Sequence, residues 1–156
     1  MGEVPHDERR WEFVLAAAVR IRDGLGGHGR VLSQVLIDLP AAPGPVAPDL
    51  VVIAPGAVHN ARGRYTAADV RAVLELSGPG QAEAGRVYAH SGVPLYVVVD
   101  PVGAACTVHT APSPEGVYHE AERVPFGNDL FLPLGERTLV LETEDFPRTK
   151  PTPGTA

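Results

Sequence analysis

From Trp11 onward apolar residues recur every three or four positions, which predicts a helix from about Pro5-His6-Asp7 to Asp23. Trp11, Val14, Leu15, Ala18, Val19 and Leu25 make its apolar stripe, while Arg9, Arg10, Arg20 and Arg22 alternate with acids on what reads as a solvated face. Gly24-Leu25-Gly26-Gly27 stops it. The period then changes. Val31 to Leu39 alternates as a strand, and the proline-rich stretch Pro40 to Pro48 cannot continue it. Leu50 to Ile53 is a continuous apolar run, as expected of a strand buried on both faces. A loop follows to about Asp69, then a strand from Val70 to Leu76 and a short helix from Gln81 to Ser91. Val93 to Val99, Cys106 to Ala111, Val117 to Val124 and Thr138 to Glu142 complete the expected strands. Helix, strands, helix, strands predicts a mixed α/β (α+β) layer in which the sheet dominates.

Composition narrows the class. The chain has 156 residues and a formal net charge of −6, with 44% hydrophobic and 21% charged residues. That is enough to bury one core, and it argues against a generally basic nucleic-acid coat. One cysteine, Cys106, excludes an internal disulfide and a cysteine-rich zinc site. The apolar runs are too short to span a membrane, and the acidic start at Glu3, Asp7 and Glu8 is unlike a signal peptide. A soluble cytoplasmic domain over residues 1–148 is expected, followed by a disordered proline-rich tail, 149–156. The only lysine, Lys150, lies in that tail, so no lysine chemistry can run in the core.

Two acids interrupt apolar strands. Asp49 opens Leu50-Val51-Val52-Ile53, and Glu75 sits within Val73-Leu74-Glu75-Leu76. A carboxylate in a buried strand is costly unless it is paired, hydrogen-bonded or bound to a cation. Two on neighbouring strands repel each other, and a divalent metal relieves that; magnesium suits such a pair. The plainer alternative puts Asp49 at the surface and Glu75 on an exposed sheet face.

Three blocks give a family likeness: Ala47-Pro48-Asp49-Leu50-Val51-Val52, then Val73-Leu74-Glu75-Leu76-Ser77-Gly78-Pro79-Gly80, then Tyr88-Ala89-His90-Ser91-Gly92-Val93-Pro94 running on to Asp100-Pro101. Their order and spacing resemble the Uma-two family of restriction-endonuclease-like proteins, which have the PD-(D/E)xK nuclease fold. The resemblance runs from His6 to about Pro147. It implies a central mixed sheet flanked by helices, with Mg2+ or Mn2+ held by Asp49, Glu75 and the carbonyl of Leu76. The activity it implies is metal-dependent hydrolysis of DNA phosphodiesters. Two departures accompany the likeness. The family's helix lysine, one turn before the tyrosine matching Tyr88, is replaced here by Ala84. The family's leading hairpin, with its tyrosine-glutamate-leucine segment, has no counterpart ahead of His6. Arg86 is the nearest cation on that helix; it can stabilise charge but cannot act as a base.

The remaining polar residues carry less. Six histidines show no metal-ligand spacing, and Gly24 to Gly29 follows a helix rather than a strand, so it is a turn and not a phosphate cradle. Tyr88, Tyr96 and Trp11 read as core aromatics. From His59 to His90 four arginines face three acids, whereas Pro112 to Arg148 holds eight acids and three arginines. The acidity thus lies away from the carboxylate pair, which leaves room there for a polyanion. The leading expectation is a DNA endonuclease, and a homodimer would suit duplex cleavage. The alternative is an inactive nuclease-fold protein that binds nucleic acid or a protein partner.

Overall fold

A computed structural model describes residues 6–149. Helix α1 (His6–Leu25) leads into short strands β1 (Arg30–Leu32) and β2 (Ile37–Asp38), then β3 (Leu50–Ile53) and β4 (Tyr65–Thr66). A single 3-10 turn (Ala67–Asp69) precedes β5 (Val70–Leu76), helix α2 (Gln81–His90) and β6 (Leu95–Asp100). Strands β7 (Ala105–Pro112), β8 (Tyr118–Pro125), β9 (Leu130–Leu134) and β10 (Arg137–Leu141) follow. Six strands form one mixed sheet in the order β1-β3-β5-β6-β7-β8; only β5 and β6 are parallel neighbours, joined across α2. This is the expected mixed α/β architecture.

The central strands β3, β5 and β6 carry apolar residues on both faces, so the middle of the sheet is covered twice. Leu50, Val52, Leu74, Val97 and Val99 point to a layer made by α1 and the β9–β10 hairpin. Val51, Val73, Tyr96 and Val98 point the other way, against Tyr88 of α2 and the segment around β2 and β4. Cys106 is fully buried in the first layer, and that burial pushes its thiol up to about 12. Among the described residues no helix is long and apolar enough to cross a membrane.

Helix α1 buries only part of the stripe that the apolar spacing selects: Val14 and Leu25 are inside, joined by a row the spacing does not select. Phe13, Ala17, Ile21 and Leu25 are buried, whereas Trp11, Leu15 and Val19 are exposed. Both rows repeat every four residues. The Phe13 row is the one with aromatic partners, since Phe13 meets Phe146 edge-on at 5.6 Å and Phe146 meets Phe126 at 5.7 Å. Trp11 is therefore not a core aromatic, while Tyr88 and Tyr96 are.

Three other differences have local causes. The strand expected over 31–39 breaks into β1 and β2 because Gln34 takes a left-handed backbone, φ 59°, and donates its N–H to the carbonyl of Pro48. Strand β9 is an addition: Pro133 argues against a strand, yet it sits on an outward position of a two-stranded hairpin, with Leu130, Leu132 and Leu134 buried beneath. Thr149, placed in the tail by composition, donates its N–H to Pro101 and accepts a hydrogen bond from Arg9; the rest of that tail lies outside the described residues. Gly29 at φ 125° is required by a close approach, since a Cβ there would lie 2.7 Å from the carbonyl oxygen of Ile53.

Candidate active site

The carboxylates singled out by the sequence come together at one end of the sheet. Asp49 sits in the bend before β3 and is only 6% exposed. Its Oδ2 accepts the backbone N–H of Leu76 at 2.9 Å, which ties that bend to the end of β5. Glu75 lies one residue earlier on β5, on the same sheet face as Val73, and points toward α2. Both acids and Leu76 line a cavity of about 320 Å³ together with Arg9, Arg10, Gln34 and Ala84.

Glu75 is held from two sides. Tyr88 of α2 donates to Oε2 at 3.1 Å, and Tyr96 of β6 donates to Oε1 at 3.2 Å. The rings of these tyrosines pack 5.0 Å apart, and Tyr96 stacks in turn on His109 and Tyr118. Burial, then the negative charge of Glu75, raises both phenol pKa values well above the ordinary, so the hydroxyls stay protonated and donate. The Glu75 carboxyl is itself held above its usual range, first by burial and next by the charge of Asp49; the two tyrosine hydrogen bonds and Arg10 act against this rise. Two negative groups thus share one partly dry cavity.

The positive charge comes from an unexpected element. Arg10 Nε approaches Asp49 Oδ1 to 2.7 Å, with the arginine side chain 42% exposed and the aspartate 8%. The N–H is not aligned on the oxygen, so the contact is an ion pair rather than a directed hydrogen bond. Arg9 and Arg10 had read as solvated helix residues. A signal was present: Arg10, Val14, Ala17 and Ile21 share one phase of the helix, so Arg10 is a cation on the buried row. Arg86, by contrast, is exposed and lies outside the cavity lining, because two residues from Ala84 is about 200° around a helix. Arg64 is spent on Asp38 at 3.2 Å. Gln34 is another wall residue the sequence does not flag, and its left-handed backbone is what brings it there.

A small hard cation takes one or two carboxylates, carbonyl oxygens and several waters. The Asp49–Glu75 pair beside Leu76 fits that donor chemistry. Among the described residues no group of three His, Cys, Asp or Glu side chains gathers as a metal site, so the pair has no third side-chain ligand of that kind. Beyond Gly80 and Ala84 the cavity meets a more apolar hollow of about 430 Å³, walled by Pro43, Pro45, Val46 and Val87.

Comparison with known proteins bears on the fold and the family. Among solved structures, the chain is similar to a protein described as a putative nuclease belonging to DUF820 from Anabaena variabilis ATCC 29413. The TM-score is 0.59 at 15% sequence identity, over 90% of this chain and 80% of that one, so the likeness is one of fold. No curated protein matches. The model of the Uma2 family, described as "Putative restriction endonuclease", matches residues 4–144. Its span takes in the bend at Asp49, the Glu75 strand and both helices that wall the cavity, and the chain belongs to the Uma2 family.

Proposed function

We propose that this chain is a metal-dependent endonuclease that hydrolyses DNA phosphodiesters, using Mg2+ or Mn2+ held by Asp49, Glu75 and the carbonyl of Leu76. The observation that carries the reading is the convergence of two carboxylates from separate segments on one cavity, close enough for Asp49 to raise the pKa of Glu75. Such repulsion is relieved when a cation is taken up. The ion, when bound, polarises the phosphodiester and supplies hydroxide at neutral pH. The chain's own residues do the remaining work. Tyr88 and Tyr96 fix both oxygens of Glu75, so the carboxylate is oriented before substrate arrives. The Leu76 N–H fixes Asp49 in the same way. Arg9 and Arg10 place positive charge on the cavity wall, where a phosphate oxygen would meet it.

A second reading has its own support. Ala84 leaves the α2 wall without a cation, and every oxygen of the two carboxylates already has a protein partner. A nuclease-fold protein that binds nucleic acid or a protein without cleaving would tolerate both. The test is cleavage of supercoiled plasmid and of single-stranded DNA in Mg2+, Mn2+ or EDTA. The wild type is compared with an Asp49→Asn, Glu75→Gln double variant. Metal-dependent nicking lost in the variant supports the nuclease. Equal background from both folded proteins overturns it in favour of the binding reading.

A further inference from the structure

We infer that Arg10 has two successive anionic partners: Asp49 while the site holds no metal, and a phosphate of the nucleic acid once a divalent cation has taken Asp49. The inference rests on the cation-and-phosphate reading of the cavity and assigns its phosphate-binding group. Three observations carry it. Arg10 Nε stands 2.7 Å from Oδ1, the Asp49 oxygen not engaged by Leu76, so it occupies the side of the carboxylate that a cation would need. The pair is asymmetric: Asp49 is buried and cannot turn to water, whereas the arginine side chain is 42% exposed and can. Its N–H is also misaligned with Oδ1, so less directional bonding is lost on separation than in a bidentate pair.

Both ends of the exchange are chemically sound. A guanidinium and a divalent cation compete for one carboxylate oxygen, and the doubly charged ion wins when enough is present. The released guanidinium is already on the cavity wall, beside Arg9, with donors suited to phosphate oxygens. Losing Arg10 should then move two affinities in opposite directions. A merely structural arginine would move them together.

The experiment titrates Mn2+ alone into wild type, Arg10→Gln and Arg10→Lys by calorimetry. It then measures binding of a hydrolysis-resistant phosphorothioate duplex to the Mn2+-saturated proteins. Arg20→Gln is the control, since Arg20 lies on the same helix but pairs with Asp145 at 2.6 Å. Expected for Arg10→Gln is Mn2+ binding tighter by roughly ten-fold and duplex binding weaker by roughly ten-fold. Arg10→Lys should keep both near wild type, and Arg20→Gln should change neither beyond about two-fold. Unchanged or weaker Mn2+ binding in Arg10→Gln, or unchanged duplex binding, overturns the assignment. If Arg10→Gln does not fold, Arg10→Met, which keeps the length of the stem without the charge, is measured in its place, with the same opposed shifts expected and the same results overturning the assignment. Opposed shifts in a wild type that never cleaves DNA would leave Arg10's role standing and remove only the nuclease.

Discussion

Replacing Asp49 with alanine and with asparagine separates the carboxylate's structural work from its chemical work. Asp49 accepts the Leu76 N–H at 2.9 Å and pairs with Arg10 at 2.7 Å. Alanine strips both. A donor left without its acceptor in a partly buried place costs about 1–3 kcal/mol. The ion pair adds only about 0–1 kcal/mol, because Arg10 is 42% exposed and rehydrates when released. Relief of repulsion on Glu75 offsets part of this, leaving a net loss near ~1–2 kcal/mol. For a chain of this size that lowers Tm by about 3–6 °C. Asparagine keeps a carbonyl oxygen for Leu76 and should stay within about 1 kcal/mol of wild type. Both should lose metal-dependent nicking. Thermal melts in EDTA and plasmid nicking, run on the same preparations, read the two effects separately. Equal Tm values for the two variants would refute the structural role of the Leu76 contact. Undiminished nicking by the asparagine variant would refute Asp49 as a metal ligand.

Glu75→Gln removes a carboxyl held above its usual range by burial and by Asp49. The folded chain keeps that proton longer than the unfolded chain, so its stabilising effect is full at acid pH and is lost as pH rises through the raised value. The variant should therefore gain Tm relative to wild type as pH rises from below 4.5 in EDTA, and a constant difference would contradict the shift. Tyr88→Phe and Tyr96→Phe each delete a hydrogen bond that favours the ionised Glu75. Each should cost about 0.5–1.5 kcal/mol in melts and move the acid limb of the nicking pH profile upward; a fixed limb would mean the tyrosines only pack. Ala84→Lys puts an ammonium on the cavity wall at the position where the family resemblance implies a lysine. Nicking should rise by roughly ten-fold or more, and no change would show that α2 does not address the reacting phosphate.

Much of the architecture is legible in the chain because each sheet strand carries its own pattern. Leu50 to Ile53 is apolar at every position because both faces are covered, and the structure buries all four. Asp49 and Glu75 were visible for the opposite reason, as charges where the pattern demands apolar residues. What stayed hidden depends on choices made between elements. Two four-residue rows coexist on α1, and only the Phe146 and Phe126 rings, far along the chain, select Phe13 over Trp11. Pro133 obscures β9, because its outward position in a hairpin cannot be read without knowing its partner. Gln34 reaches the cavity through one left-handed residue in a run that otherwise alternates like a strand.

Arg10 is the instructive case, because it combines both kinds of signal. A charge on the buried phase of a helix is the same anomaly as a carboxylate in a buried strand, and each is the other's resolution. A carboxylate at 6% exposure is costly to bury without hydrogen bonds and a cation, and α1 delivers that cation to Asp49 from the layer on the far side of the sheet. The floor of the cavity is therefore built by the sheet ends and α2, and its positive wall by α1. No single segment contains both. A chain in which α1 packs loosely would keep Asp49 and Glu75 in register yet lose the balance of charge between them. Activity and duplex binding should accordingly track the docking of α1, which the Phe13–Phe146–Phe126 contacts secure.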